Sequence, residues 1–370
     1  MPSAAPIAIL NFFQQQLIGS WANVDFGKDS SGNPVGGPAN PLSYNIMPLP
    51  QKNGLGGVPT PNGYILKNFR YHERLHFNDD NAATTLAIAA RAPNRGGEVN
   101  QDARAIFYEQ QVKFAEGPQG PRAGSPDGDV VHVENGAWLW LPRYQQSPGP
   151  YAENPPGSGL FPPPPASALL PPSVQQPNDV LIAKQISIPH GNSILAMGSF
   201  DTIPNASGQG GPWNGVEQIP GSPIIPDGLS PFPTAYLFDA PIPPSTSVLN
   251  ADAVYGTAAA TPTNYQNPHP NLTLNPNLPL QQAVAIIKPD SFVHWRVTTA
   301  PLQNGTGSVT NIPFEQRVSE VTEYAAEYWL LIKGTQKYLS YTQTILMVMV
   351  INDKKFVFPH LTCNTVTFQP

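Results

Sequence analysis

Cysteine and charge are what this sequence has least of. Its one cysteine in 370 residues, Cys363, rules out an internal disulfide, and no CxxC or Cys/His group offers structural zinc. This usage suits a reducing compartment. Charged residues make up 12% of the chain, about half the ~25% of an average protein. The net charge of −6 comes without a basic cluster, which argues against nucleic acid and anionic membrane as partners. No apolar run reaches the ~20 residues of a membrane-spanning helix, and the opening Met1–Leu10 lacks the positive start of a signal peptide. The expectation is a soluble, cytoplasmic protein. No GxSxG element, Walker loop or Rossmann glycine pattern follows a strand, so these routes to acyl transfer, nucleotide or dinucleotide chemistry are not signalled.

Proline and glycine are abundant instead. With 46 Pro and 31 Gly they form about a fifth of the chain, a profile of short strands joined by long irregular connections. In Tyr64–Phe77, Ile65, Phe69, Tyr71, Leu75 and Phe77 share one parity, while Asn68, Arg70, His72, Arg74 and His76 share the other. Alternation of that length predicts a strand. Further strands are expected over 105–114, 130–141, 180–191, 194–200, 291–298 and 321–332, the last with a helical alternative. Residues 338–351 and 356–368 read as a closing β-hairpin. A short N-terminal helix over 8–21 leads into a first strand, and 27–63 reads as loop. The pattern predicts one all-β domain over 1–370, a closed antiparallel barrel of about eight to ten strands of calycin (lipocalin or fatty-acid-binding protein) type. Long Pro/Gly-rich insertions fall at about 142–179, with Pro162 to Pro165 in a row, and 201–282.

The most literal motif is His72-Glu73-Arg-Leu-His76, a match to HExxH. In zinc hydrolases that spacing works on a helix, which brings both imidazoles to one face. On a strand the two rings lie about 13 Å apart, too far to share one ion. The surrounding alternation points to the strand. His360 follows Pro359 in an apolar neighbourhood of Phe356, Phe358, Leu361 and Val366. Such a histidine is either a single-point metal or haem ligand or a hydrogen-bonded histidine at a barrel rim.

Four segments, in this order, resemble the nitrobindin family of haem-binding β-barrels. They are the aromatic strand with Phe69, Tyr71, Glu73, Leu75 and Phe77; Val131-His132-Val-Glu134-Asn-Gly136-Ala-Trp138; Ile188-Pro-His190-Gly-Asn-Ser-Ile-Leu195; and Tyr341–Met347 with Phe358-Pro-His360-Leu-Thr362. The resemblance covers roughly half the chain. It implies b-type haem held by one histidine, His360, with His132, Met347, Phe358 and Trp138 around the cofactor. It also implies a small ligand: peroxide, NO or peroxynitrite. As an enzyme the protein would be a haem peroxidase or a peroxynitrite isomerase. This chain departs from the family in its long insertions, in Val131 where Met is common, and in His190 where a neutral polar residue is expected. An imidazole there gives a distal acid/base, so His190 is the catalytic candidate. The rival expectations are a haem-free carrier of an apolar small molecule and the zinc hydrolase. Homo-oligomer contacts through the loops are compatible with all three.

Overall fold

The computed structural model describes residues 15–37, 41–50, 64–78, 90–93, 100–115, 130–142, 180–202, 211–213, 277–300, 307–351 and 354–370. Ten antiparallel strands form a closed barrel. They are β1 (Gly19–Asn23), β2 (Tyr71–Phe77), β3 (Asn100–Phe114), β4 (Val130–Pro142), β5 (Val180–Ile188), β6 (Asn192–Thr202), β7 (Ser291–Thr298), β8 (Ser319–Lys333), β9 (Gln336–Ile351) and β10 (Lys354–Gln369). Each pairs with the next, and β10 returns to β1, with Trp21 opposite Phe368 and Asn23 opposite Val366. The all-β closed barrel is therefore the observed architecture, and the segment 321–332 is strand.

Alternation sets which side chains enter the barrel. Along β2, Tyr71, Glu73, Leu75 and Phe77 are buried, whereas Arg74 and His76 are exposed. Along β5 the inward set is Ile182, Lys184, Ile186 and Ile188. One end of the interior is an aromatic plug. Trp138 meets Tyr328 edge-on at 4.9 Å and Trp295 edge-on at 5.8 Å, and Trp295 stacks on Tyr328 at 5.5 Å. Such pairs contribute about 0.5–1.5 kcal/mol each beyond their buried area. Trp21, Phe77, Leu339 and Phe368 complete that end, and the helical residues 15–17 bring Leu17 under it, with Trp21 Nε1 donating to the Leu17 carbonyl at 2.8 Å.

Strands β8 to β10 are buried on both faces. Tyr338 and Ser340 point out, Leu339 and Tyr341 point in, and all four are buried. The outer face is covered in part by helix α1 (Asn277–Ile287), which packs on β9 and β10. Its buried positions Leu280, Ala283, Val284 and Ile287 have the i, i+3, i+4, i+7 spacing of one helical face. Tyr338–Leu346 is buried at every position, which explains why apolar residues stand on both parities of that stretch.

Several expectations need correction. The stretch 27–63 is not all loop: Asp25–Lys28 pairs with Pro34–Gly36, and Tyr44–Pro50 pairs with both β10 and Tyr64–Phe69. The strand read as 64–77 breaks at Arg70, and only its second half enters the barrel wall. The end of the 201–282 insertion belongs to α1, and Ser308–Asn311 and helix α2 (Pro313–Val318) add structure before β8. The strand at 180–191 stops at Ile188, because Pro189–Gly191 turn; Gly191 has φ +115°, and a Cβ there would strike Ile312. Most of the two insertions, and the first half of the 8–21 helix, lie outside the described residues.

Candidate functional site

The end of the barrel opposite the aromatic plug is where β4, β6, β8 and β10 begin and where β5 and β9 finish. His132, His190, Met347 and His360 belong to this mouth. His132 comes from the start of β4, and His190 from the exposed β5–β6 turn, their ring centroids 6.5 Å apart. Met347 sits opposite Val321 and Phe358, and His360 pairs with Ile345. The Phe358 side chain lies outside the described residues. Trp138, on the same face of β4 as His132 but six residues on, is about 20 Å away along the strand. It belongs to the aromatic plug rather than to the mouth.

His360 faces inward, like Thr362 and Asn364 beyond it on β10, whose side chains bond to Tyr71 and Glu73. Asn45 Nδ2 donates to His360 Nε2 at 3.1 Å. Burial, helped by nearby His132, pushes its imidazolium down to about pKa 3, so His360 is neutral at physiological pH. The rim carries exposed apolar side chains, Val130 on β4 and Ile312 and Phe314 beside the β5–β6 turn. Glu315 in α2 lies close enough to His190 for the two to interact electrostatically.

Beneath the mouth the interior is a polar belt rather than an open cavity. His132 Nε2 lies 3.2 Å from Glu134 Oε2, and Tyr108 donates to Glu134 Oε1 at 2.8 Å. Lys184 Nζ spends its three protons on Glu134 Oε1 at 3.1 Å, Tyr328 Oη at 3.0 Å and Tyr324 Oη at 3.3 Å. It sits among the Tyr108, Trp138, Tyr324 and Tyr328 rings, 5.2–5.8 Å from their centroids. Burial works to raise the Glu134 pKa, but the ammonium and His132 overcome it and hold the carboxyl at about 2. Lys184 is correspondingly held well above the usual lysine range: burial opposes its charge and the Glu134 carboxylate outweighs burial. The pair is ionised.

A second carboxylate, Glu73, accepts from Gln110 at 2.6 Å and from Tyr341 and Asn364 at 2.7 Å each. With no cation beside it, burial raises its pKa. Gly136 is required here, since a Cβ would meet the Gln185 carbonyl and the Tyr108 ring. Between the two carboxylates lies a cavity of about 20 Å³ lined by Glu73, Gln110, Glu134, Lys184 and Tyr341 among others, room for about one water molecule.

The HExxH motif is not a zinc site. It lies on β2, where Glu73 points into the barrel while His72 and His76 take the other face, and Ser20 Oγ bonds His76 Nδ1 at 3.0 Å. Among the described residues no three His, Cys, Asp or Glu side chains are grouped to hold a metal ion. Cys363 is buried, and burial pushes its thiol well above the usual range, so it stays protonated and is a poor nucleophile. Sequence reasoning missed Lys184, Tyr108 and Glu134 as a unit. The signal was present, since Lys184 is the one charge on the inward parity of an Ile-rich strand.

A closed ten-stranded barrel with a histidine-bearing mouth over a buried ion pair is the class of protein these features define. No known family's profile matches the chain, and no curated protein does. Among solved structures it is similar to "Crystal Structure of Rv2717c from M. tuberculosis", with 12% identity over 97% of this chain and 98% of that one, at a TM-score of 0.33. At that score the likeness carries no argument about fold or function. No described helix is long and apolar enough to cross a membrane.

Proposed function

We propose that the barrel mouth binds b-type haem, with His360 as the axial ligand. The observation that carries this reading is the convergence of His132, His190 and His360, from β4, a turn and β10, on one mouth with an apolar rim. The residues fit such a group. A haem ligand must be a neutral imidazole, and His360 stays neutral well below physiological pH. One histidine suffices for haem, whereas bare metal needs a cluster that the described residues do not supply.

Asn45 Nδ2 occupies the His360 Nε2 lone pair, so ligation through Nε2 would displace that amide. The buried Asn45 Oδ1 has no partner among the described residues, and turning the amide lets Oδ1 accept a hydrogen bond from elsewhere. Haem iron would supply an open coordination position for a small ligand such as peroxide, NO or peroxynitrite. The chain supplies the rest: apolar contact from Met347 and the rim, and imidazoles at His132 and His190 able to exchange protons with what binds.

A carrier of an apolar small molecule is less well supported, because its ligand needs an apolar interior and the described interior is a filled polar belt. The test is an absorption spectrum of the protein titrated with haemin, beside His360→Ala. A Soret band in the parent that is lost or shifted in the variant supports the reading. No band in the parent removes it.

A further inference from the structure

The sequence points to His190 as the acid/base, but the geometry points to another group. We infer that His132 is the residue that moves a proton at the barrel mouth, and that Glu134, fixed by Lys184, is the positioning residue that sets its tautomer. This rests on the haem reading only for its turnover arm.

Three observations carry it. First, Glu134 is ionised and can only accept, so His132 Nε2, at 3.2 Å, must bear the proton. That commits Nδ1 to present its lone pair, and among the described residues no hydrogen bond to Nδ1 competes for it. Second, the carboxylate cannot swing away. Its Oε1 is pinned by Lys184 and the Tyr108 hydroxyl, its side chain is 4% exposed, and the ammonium is itself saturated by Tyr324 and Tyr328. The ring is thus held from below by a buried and fully bonded support. Third, the His132 side chain is 25% exposed, so part of its ring is open at the mouth, whereas Glu134 behind it is buried. Among the described residues His190 has no such support: it stands exposed on a turn, with the His132 ring and the charge of Glu315 as its neighbours.

The step is a proton transfer that balances by itself. His132 Nδ1 takes the O–H proton of a hydroperoxide bound at the mouth, giving an imidazolium and a peroxide anion, and in the reverse direction gives the same proton back to that oxygen; no other bond is made or broken in the step. Glu134 stabilises the imidazolium without becoming protonated, which its pinned ion pair with Lys184 ensures.

The first arm of the test uses the haem-free protein, ¹⁵N-labelled at histidine, at pH above 7. The His132 resonances are expected to show the Nε2–H tautomer in the parent and a tautomer mixture in Glu134→Gln/Lys184→Met, a pair that keeps the interior neutral so that the variant folds. An Nδ1–H tautomer in the parent, or no change in the double variant, overturns the positioning role. The second arm loads haem and follows hydroperoxide turnover. His132→Ala is expected to lose on the order of a hundredfold in kcat, with KM little moved, and His190→Ala far less. The reverse order overturns the assignment. A protein that takes up no haem fails the haem reading, while the tautomer arm still decides the role of Glu134.

Discussion

Replacing Lys184 with Met tests whether the buried ion pair is what holds the barrel interior together. In the folded protein Glu134 titrates at about 2 instead of 4.5, a difference of about 2.5 units. At ~1.36 kcal/mol per unit that is about 3 kcal/mol of stability. The sign follows from a depressed carboxylate: the contribution is complete above pH 4.5 and is lost as pH falls from there toward 2. Removing the ammonium leaves the carboxylate buried with only Tyr108 and His132 as donors. Breaking one partner of a buried pair costs about 3–5 kcal/mol. The Met sulfur among the Tyr108, Trp138, Tyr324 and Tyr328 rings returns about 1 kcal/mol, so Lys184→Met should cost about 2–4 kcal/mol at pH 7. With the ammonium gone, burial, the largest influence on the carboxyl, is opposed only by His132 and Tyr108, so the variant is expected to gain stability as pH falls and its deficit to narrow between pH 7 and 4.5. Urea denaturation across that range measures both quantities, and Glu134→Gln added to the variant should recover most of the loss. A deficit below about 0.5 kcal/mol at pH 7, or one that widens on acidification, would refute the reasoning.

Acid should also act through His360. Its folded-state pKa of about 3 against 6.5 in the open chain means that stability is complete above pH 6.5 and falls as pH drops toward 3. In haem-free protein, His360→Gln should flatten the fall in thermal midpoint between pH 6.5 and 4.5, above the Glu134 window; an unchanged slope would count against burial of this ring. Leu280→Ala in α1 removes a fully buried side chain and should cost about 2–5 kcal/mol by urea denaturation. A loss under 1 kcal/mol would show that α1 does not pack on β9 and β10 as described.

The barrel was legible because its walls alternate. Tyr71, Glu73, Leu75 and Phe77 sit inward as their parity requires, and so do His132 and Glu134. Other elements were hidden by their composition. Tyr44–Pro50 carries Pro48 and Pro50 and reads as loop, yet it lies at a barrel margin where a missing N–H is tolerated. Helix α1 opens Asn277-Leu-Pro279 in a run of Asn and Pro that masks the spacing of Leu280, Ala283, Val284 and Ile287. At the mouth, the histidines were visible one by one. Which two of them come within 6.5 Å depends on how β4 meets the β5–β6 turn, a long-range pairing that no local pattern encodes. Alternation puts Glu73, Glu134 and Lys184 on the inward faces but does not reveal that Lys184 meets Glu134 while Glu73 meets no cation, because a pattern of parity says which way a side chain points and not what it finds there.

The seam between β1 and β10, with Ser20 opposite Gln369, joins residues about 350 positions apart. At a synthesis rate of roughly 5–20 residues per second, β1 waits on the order of tens of seconds for its neighbour. Through that interval one edge of the growing sheet stays unpaired, and the ion pair inside it stays open to water. A chain shortened by the last four β10 residues that face β1, Val366 to Gln369, would keep most of its strands and lose its ring: an open sheet whose β1 edge is free while the β10 edge is covered only where Tyr44–Pro50 pairs with it, a form prone to adding strands from other chains.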